Sequence, residues 1–162
     1  MRYLIDTNVL LRLAEPSHPM HAAAQNAINV LVTNGDELCV VLQNLIELWH
    51  VATRPTQYNG LGFTQAQVIA EIQRIERFFQ LILDAPEIYA EWKRLVIAYT
   101  IEGKQVHDTR IVAALNVHQI TRLLTFNKGD FKRFTGIVAV SPTDLLLPTQ
   151  PQMLQPKSEP FC

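Results

Sequence analysis

Cysteine is nearly absent from this chain, and its two copies, Cys39 inside an apolar stretch and Cys162 at the last position, give no disulfide framework. Cys39 is therefore expected as an inert buried thiol, and reduced cytoplasm as the compartment. No Cys/His set at zinc spacing is present, which removes a zinc centre from consideration. No apolar run approaches the ~18 residues that a membrane span needs, and the N-terminus lacks a charged-then-apolar leader pattern, so no membrane role is expected. Excess charge of one sign is missing as well: the formal net charge is −1. A chain so balanced has no overall field to draw in a polyanion, and any phosphate-binding surface must be a local patch or depend on a metal. No internal repeat is found, which excludes solenoid architectures.

What is present fits one compact unit. A chain of 162 residues with 48% hydrophobic content can bury a sizeable core without disulfides or structural metal. Short apolar runs at residues 1–5, 38–42, 123–126 and 137–140 read as strands. Between them lie helical patterns. Ala24, Ala27, Ile28 and Leu31 recur at helical spacing and stop at Gly35. Thr64 and Gln67 form a capping-box signature ahead of the stripe Val68, Ile72, Ile75, Phe79 and Ile82. Pro86 opens a further helix with Ile88, Trp92, Leu95 and Tyr99 on one face and Gly103 past its end. Continuous apolar strands alternating with helices indicate an α/β fold: a central parallel sheet of four to five strands flanked by helices on both faces. The domain is expected over residues 1–147. Residues 53–63 read as an ordered loop, and the Pro/Gln-rich stretch 148–162 as a disordered tail.

Four acids stand at informative places in that pattern. Asp6 ends the first apolar run, and Glu47 falls shortly after the second, with Gln43-Asn44 as a helix-start signal between. Asp108 precedes the periodic Ile111, Val112 and Leu115 and resembles a helix N-cap. Asp130 lies in the turn Asn127-Lys128-Gly129-Asp130 that leaves the strand at 123–126. Ligands of parallel α/β sheets sit beyond the carboxyl ends of the strands, which is where these acids fall. Each has an ordinary alternative: a turn residue for Asp6 and Asp130, a solvent-facing helix position for Glu47, an N-cap for Asp108. Together they suggest one acidic site.

Several ionised carboxylates in one pocket need compensation, since two unit charges about 4 Å apart repel by about 4 kcal/mol at an effective dielectric near 20. Either some stay protonated or a cation joins them, and hard carboxylate oxygens suit Mg²⁺ or Mn²⁺. Arg110 and Lys128 are candidate phosphate contacts, with Lys132 and Arg133 beside the latter. His107 and Trp49 are expected to serve packing, although Trp49, Tyr58 and Phe63 are also candidates for base stacking or a partner surface.

The segments Leu4-Ile5-Asp6-Thr7-Asn8, Gln43-Asn44-Leu45-Ile46-Glu47, Val106-His107-Asp108-Thr109-Arg110 and Thr125-Phe126-Asn127-Lys128-Gly129-Asp130 stand in order and at compatible spacing. Over residues 1–147 they resemble the PIN-domain family, and particularly the VapC-type toxins of bacterial toxin–antitoxin pairs. The resemblance implies a Mg²⁺- or Mn²⁺-dependent ribonuclease in which Asp6, Glu47, Asp108 and Asp130 bind metal and a metal-activated water cuts RNA. Thr7, Asn8 and Thr125 would orient Asp6 or the water. Many members of the family have a further acid where this chain has Asn127, which keeps an oxygen but removes a charge. The resemblance also implies a cognate antitoxin and a homodimer. Two alternatives remain at this stage. A haloacid-dehalogenase-type phosphatase would use Asp6 as nucleophile but wants an acid at position 8, where Asn8 stands. A catalytically silent module would hold a metal or a basic peptide in the same acids.

Overall fold

The computed structural model describes residues 1–145. Strands β1 (Arg2–Ile5), β2 (Glu37–Val41), β3 (Gln80–Ile82), β4 (Arg122–Leu124) and β5 (Val138–Val140) form one sheet in the order β3-β2-β1-β4-β5. Every pairing is parallel. The helices are α1 (Thr7–Ala14), α2 (His21–Thr33), α3 (Leu42–Thr53), α4 (Gln65–Phe78), α5 (Glu87–Ala98), α6 (Gln105–Val117) and the single turn α7 (Lys128–Phe131). The expected tail at 148–162 lies outside the described residues.

Strand alternation divides the core in two. Tyr3, Ile5, Leu38, Val40 and Leu124 face one side and pack with α1, α2, α3 and α4 through Val9, Leu10, Leu31, Leu48 and Ile75. Leu4, Cys39, Val41 and Leu123 face the other and pack with α5 and α6 through Ile88, Leu95, Ile111 and Leu115. Both faces being covered explains why the strands read as unbroken apolar runs. Cys39 is fully buried, donates its thiol to the Tyr3 carbonyl at 3.2 Å, and has its pKa pushed up to about 12 by burial, so it is the inert thiol expected.

Several boundaries differ from the sequence reading. Ile82 does not belong to the helical stripe: α4 stops at Phe78, Phe79 turns extended, and Gln80–Ile82 pairs with β2 as an edge strand. Three residues are too few to show an alternation of their own. Gly103 does not stop α5 either. That helix ends at Ala98, where Thr100 takes the left-handed conformation (φ 49°) and the Ile101 N–H reaches back to the Val96 carbonyl. The Thr64–Gln67 capping box is present as expected.

The 53–63 segment is ordered, and it seals the exit of α3. The N–H groups of Leu61 and Phe63 donate to the Val51 and Ala52 carbonyls at 3.1 and 2.8 Å, satisfying acceptors that the helix end would leave open. A tight backbone approach makes this closure work: a Cβ at position 60 would lie 1.9 Å from the Arg54 carbonyl oxygen. Gly60→Ala is therefore expected to cost about 1–3 kcal/mol of stability through forced backbone displacement. A denaturant midpoint equal to that of the unsubstituted protein would show that the loop yields freely.

Candidate active site

The carboxyl ends of β1 and β4 carry the centre of the site. Asp6 continues the β1–β4 ladder, donating its N–H to the Leu124 carbonyl at 2.9 Å, and its own carbonyl accepts from Val9 and Leu10 to open α1. Its side chain caps nothing. Oδ2 instead accepts the Thr125 hydroxyl at 2.6 Å and the Asn8 amide at 2.9 Å. The same Thr125 oxygen accepts from Asn8 Nδ2 and from the Asn127 N–H, both at 3.0 Å. Asn8 Oδ1 in turn accepts the Phe126 N–H at 3.1 Å. Thr125 is fully buried, so Asp6 is gripped by a rigid, satisfied network.

Glu47 is held from two sides. It lies in the second turn of α3, where Gln43, four residues earlier on the same face, donates Nε2 to Oε1 at 2.7 Å. The Thr7 hydroxyl donates to Oε2 at 2.9 Å and is itself fixed by Asn44 Nδ2 at 3.2 Å. Asn44 is wholly buried, and its Oδ1 accepts the Val41 N–H at the start of α3. Gln43 also donates to the His107 carbonyl at 3.0 Å, which ties α3 to the N-terminal turn of α6 that carries Asp108.

Electrostatics ties the four acids together. Burial, foremost, and then the Asp108 and Glu47 carboxylates push the pKa of half-buried Asp6 from 3.8 to about 6 against the lowering Thr125 hydrogen bond. Asp108 is raised by burial, then by the charges of Asp130 and Glu47. Asp130 itself is exposed on α7. None of the four joins any of the ion pairs among the described residues. Arg110 and Lys128 are committed elsewhere, to Asp84 and Asp144, each at 2.6 Å, while His107 and Lys104 pull the pKa of Asp108 down in part.

A donor set of hard carboxylate oxygens, none of them in an ion pair among the described residues, suits Mg²⁺ or Mn²⁺ by its chemistry. Among the described residues no three His, Cys, Asp or Glu side chains stand grouped so as to hold a metal ion.

Some expectations need correction. Asp108 is not the N-cap of α6; that position is Lys104, and Asp108 lies inside the first turn. His107 is exposed, not a packing histidine, and its hydrogen bonds among the described residues are made by its backbone. Trp49 is 38% exposed on the outer face of α3, not core. Gln43, Asn44 and Asp84 were not singled out as site residues. The four-residue step from Gln43 to Glu47 is a signal that could have found the first, whereas nothing local marks Asp84.

A family model of the PIN domain matches residues 3–137. The chain belongs to the PIN-domain family. Solved structures of other PIN proteins share the fold at low sequence identity. VapBC2 from Rickettsia felis, bound to a DNA fragment from its promoter, superposes with a TM-score of 0.67 at 16% identity, covering 87% of this chain and 98% of that one. VapBC-1 from nontypeable Haemophilus influenzae gives 0.66 at 19% identity, covering 88% and 99%. VapC20 from Mycobacterium tuberculosis, a toxin that cleaves the sarcin–ricin loop, gives 0.55 at 15% identity, covering 75% and 86%. No curated protein matches the chain.

The raised pKa of Asp6 makes this PIN domain's stability depend on pH in a definite direction. A carboxyl that binds its proton more tightly when folded favours the fold below pH 4, and that contribution is lost as pH rises through about 6. The loss has an upper bound of about 3 kcal/mol, with Asp108 adding in the same sense. In chelator, Asp6→Asn should therefore be more stable than the parent at pH 7 and equal to it at pH 4. A thermal-melting difference that is reversed at pH 7, or unchanged across this range, would contradict the assignment.

Proposed function

We propose that this PIN-domain protein is a divalent-metal-dependent endoribonuclease, acting in the cytoplasm as the toxin of a toxin–antitoxin pair. The observation that carries the reading is the gathering of Asp6, Glu47 and Asp108 at one sheet edge, where burial first and the neighbouring carboxylates second raise the proton affinity of Asp6 and Asp108. Asp6, Glu47 and Asp108 would hold a first Mg²⁺ or Mn²⁺, and Asp130 would help to place a second ion or the attacking water. Bound there, the ion lowers the pKa of a water and offsets charge gathering on a phosphoryl oxygen.

The remaining residues act on orientation. Thr125 and Asn8 hold Asp6 Oδ2 in place, and Thr7 with Gln43 fixes both oxygens of Glu47. Asn127, exposed on the same edge, supplies an uncharged oxygen where a further acid would raise the repulsion. Lys128, half-buried at the rim, would contact the RNA backbone by exchanging Asp144 for phosphate, and half-buried Arg110 would reach a phosphate with the N–H groups that Asp84 and Gln43 leave free. No covalent intermediate on the chain is needed. The phosphatase alternative loses ground because the position that would carry its second acid is Asn8, whose amide donates to Asp6.

A protein partner is supported by an open apolar groove of about 500 Å³ between α3 and α4, lined by Leu45, Ile46, Trp49 and Ile72. Ile46 and Trp49 are exposed there, and an antitoxin segment with an apolar face would cover them. The VapBC relatives, solved as toxin–antitoxin complexes, support the same partner class, and a homodimer is part of the proposal.

Substitution of Asp6 by Asn in Mg²⁺ is expected to slow RNA cleavage at least about 100-fold, as is chelator on the parent protein. Independently of activity, millimolar Mg²⁺ should raise the melting temperature of the parent and leave that of Asp6→Asn unmoved. Undiminished cleavage by Asp6→Asn would refute the reading. Expression should arrest growth unless the partner is co-expressed, and unimpeded growth with active enzyme would reject the toxin role.

A further inference from the structure

A second pocket opens beside the acids, where the turn after β3 meets α5 and α6. It measures about 420 Å³ and is lined by Asp84, Pro86, Tyr89, Trp92 and Arg110 among others. Tyr89 is 66% exposed and packs at 6.3 Å, tilted by 33°, against Trp92. Trp92 is fixed by its indole N–H, which donates to the Val106 carbonyl at 3.0 Å. An exposed aromatic ring braced by a second, anchored ring is a platform, not a piece of core.

The polar wall of this pocket connects directly to the acidic site. Arg110 Nη2 donates to Asp84 Oδ2, and Nη1 donates to Gln43 Oε1 at 3.0 Å. Gln43 then donates to Glu47 Oε1 at 2.7 Å. Two hydrogen bonds therefore separate the pocket wall from a proposed metal ligand. Arg110 has five N–H groups and uses two in these contacts, and Asp84 Oδ1 takes no donor among the described residues. The wall thus presents a donor beside an acceptor.

We propose that this pocket binds one unpaired RNA base next to the scissile phosphate, an inference that rests on the ribonuclease reading of the acids. The base stacks on Tyr89 and turns its Watson–Crick edge to Arg110 and Asp84. Every RNA base carries an acceptor beside a donor on that edge, so the pocket selects unpaired over paired RNA without fixing the base. Recognition of a splayed base by an aromatic face and polar edge contacts is the general mode for single-stranded RNA. A peptide would use the aromatic rings but has no systematic need for the paired carboxylate and guanidinium.

The test uses the full chain carrying Trp49→Phe, so that Trp92 is the sole indole, and Asp6→Asn, which blocks cleavage under the proposed function. A six-nucleotide single-stranded RNA should quench Trp92 emission, and Tyr89→Ala should weaken its binding by about five- to a hundred-fold, in keeping with the loss of one stacked base. Tyr89→Phe should restore the affinity, because stacking needs the ring and not the hydroxyl. A hexamer with an abasic site at the responsive position should bind equally weakly with and without the Tyr89→Ala substitution. Equal affinity of Tyr89→Ala and its parent for the intact hexamer overturns the proposal. So does a loss of affinity that accompanies a change in oligomeric state by light scattering, which would assign the ring to a second copy of the chain. Failure of the ribonuclease reading would look different: RNA cleavage surviving Asp6→Asn in the otherwise unaltered protein.

Discussion

The structure is organised around a repulsion. Parallel strands β1 and β4 end side by side, and the helices that follow β2 and precede β4 bring Glu47 and Asp108 toward Asp6 at that same edge. Nothing in the covalent chain requires these carboxylates to be neighbours; the sheet order does. The fold assembles like charges at this edge while the adjacent Arg110 and Lys128 pair with other carboxylates. The hydrogen bonds around Asp6 and Glu47 keep the carboxylate oxygens from relaxing away. Their donors, Thr125, Asn8, Thr7 and Gln43, are neutral, so they orient the acids without discharging them.

Much of the scaffold was readable before the structure because burial on both faces leaves a plain trace. The runs holding Leu4, Val40 and Leu123 are apolar once past Arg2, Glu37 and Arg122, and that is the signature of central parallel strands. Edge strand β3 left no such trace. Its residues Gln80–Ile82 are at most half-buried and continue the spacing of the helix before them, so period alone put Ile82 on α4. The end of α5 was misplaced for a related reason. A threonine in the left-handed conformation performs the reversal usually given to glycine, and a one-letter signal cannot show that.

The site divides along the same line. The acids at strand ends and in helix openings are candidates by position, because topology dictates where the carboxyl edge lies. Their supports were found only in part: Thr7, Asn8 and Thr125 adjoin the motifs, while Gln43 and Asp84 act through contacts across 64 and 26 residues of sequence. Trp49 shows the limit of residue-type reasoning. A tryptophan on an amphipathic helix is core by default, yet here α3 buries Leu45 and Leu48 and leaves the indole at the mouth of a groove.

The two outer strands of the sheet, β3 and β5, are three residues long each. So short a rim offers few unsatisfied amides for a foreign strand to zip onto. Recruitment of a visiting polypeptide by sheet extension is thereby discouraged, and with it uncontrolled polymerisation through strand edges. A polypeptide that fastens to the described residues is thereby steered to side chains on the helical shell, where selectivity can be written residue by residue.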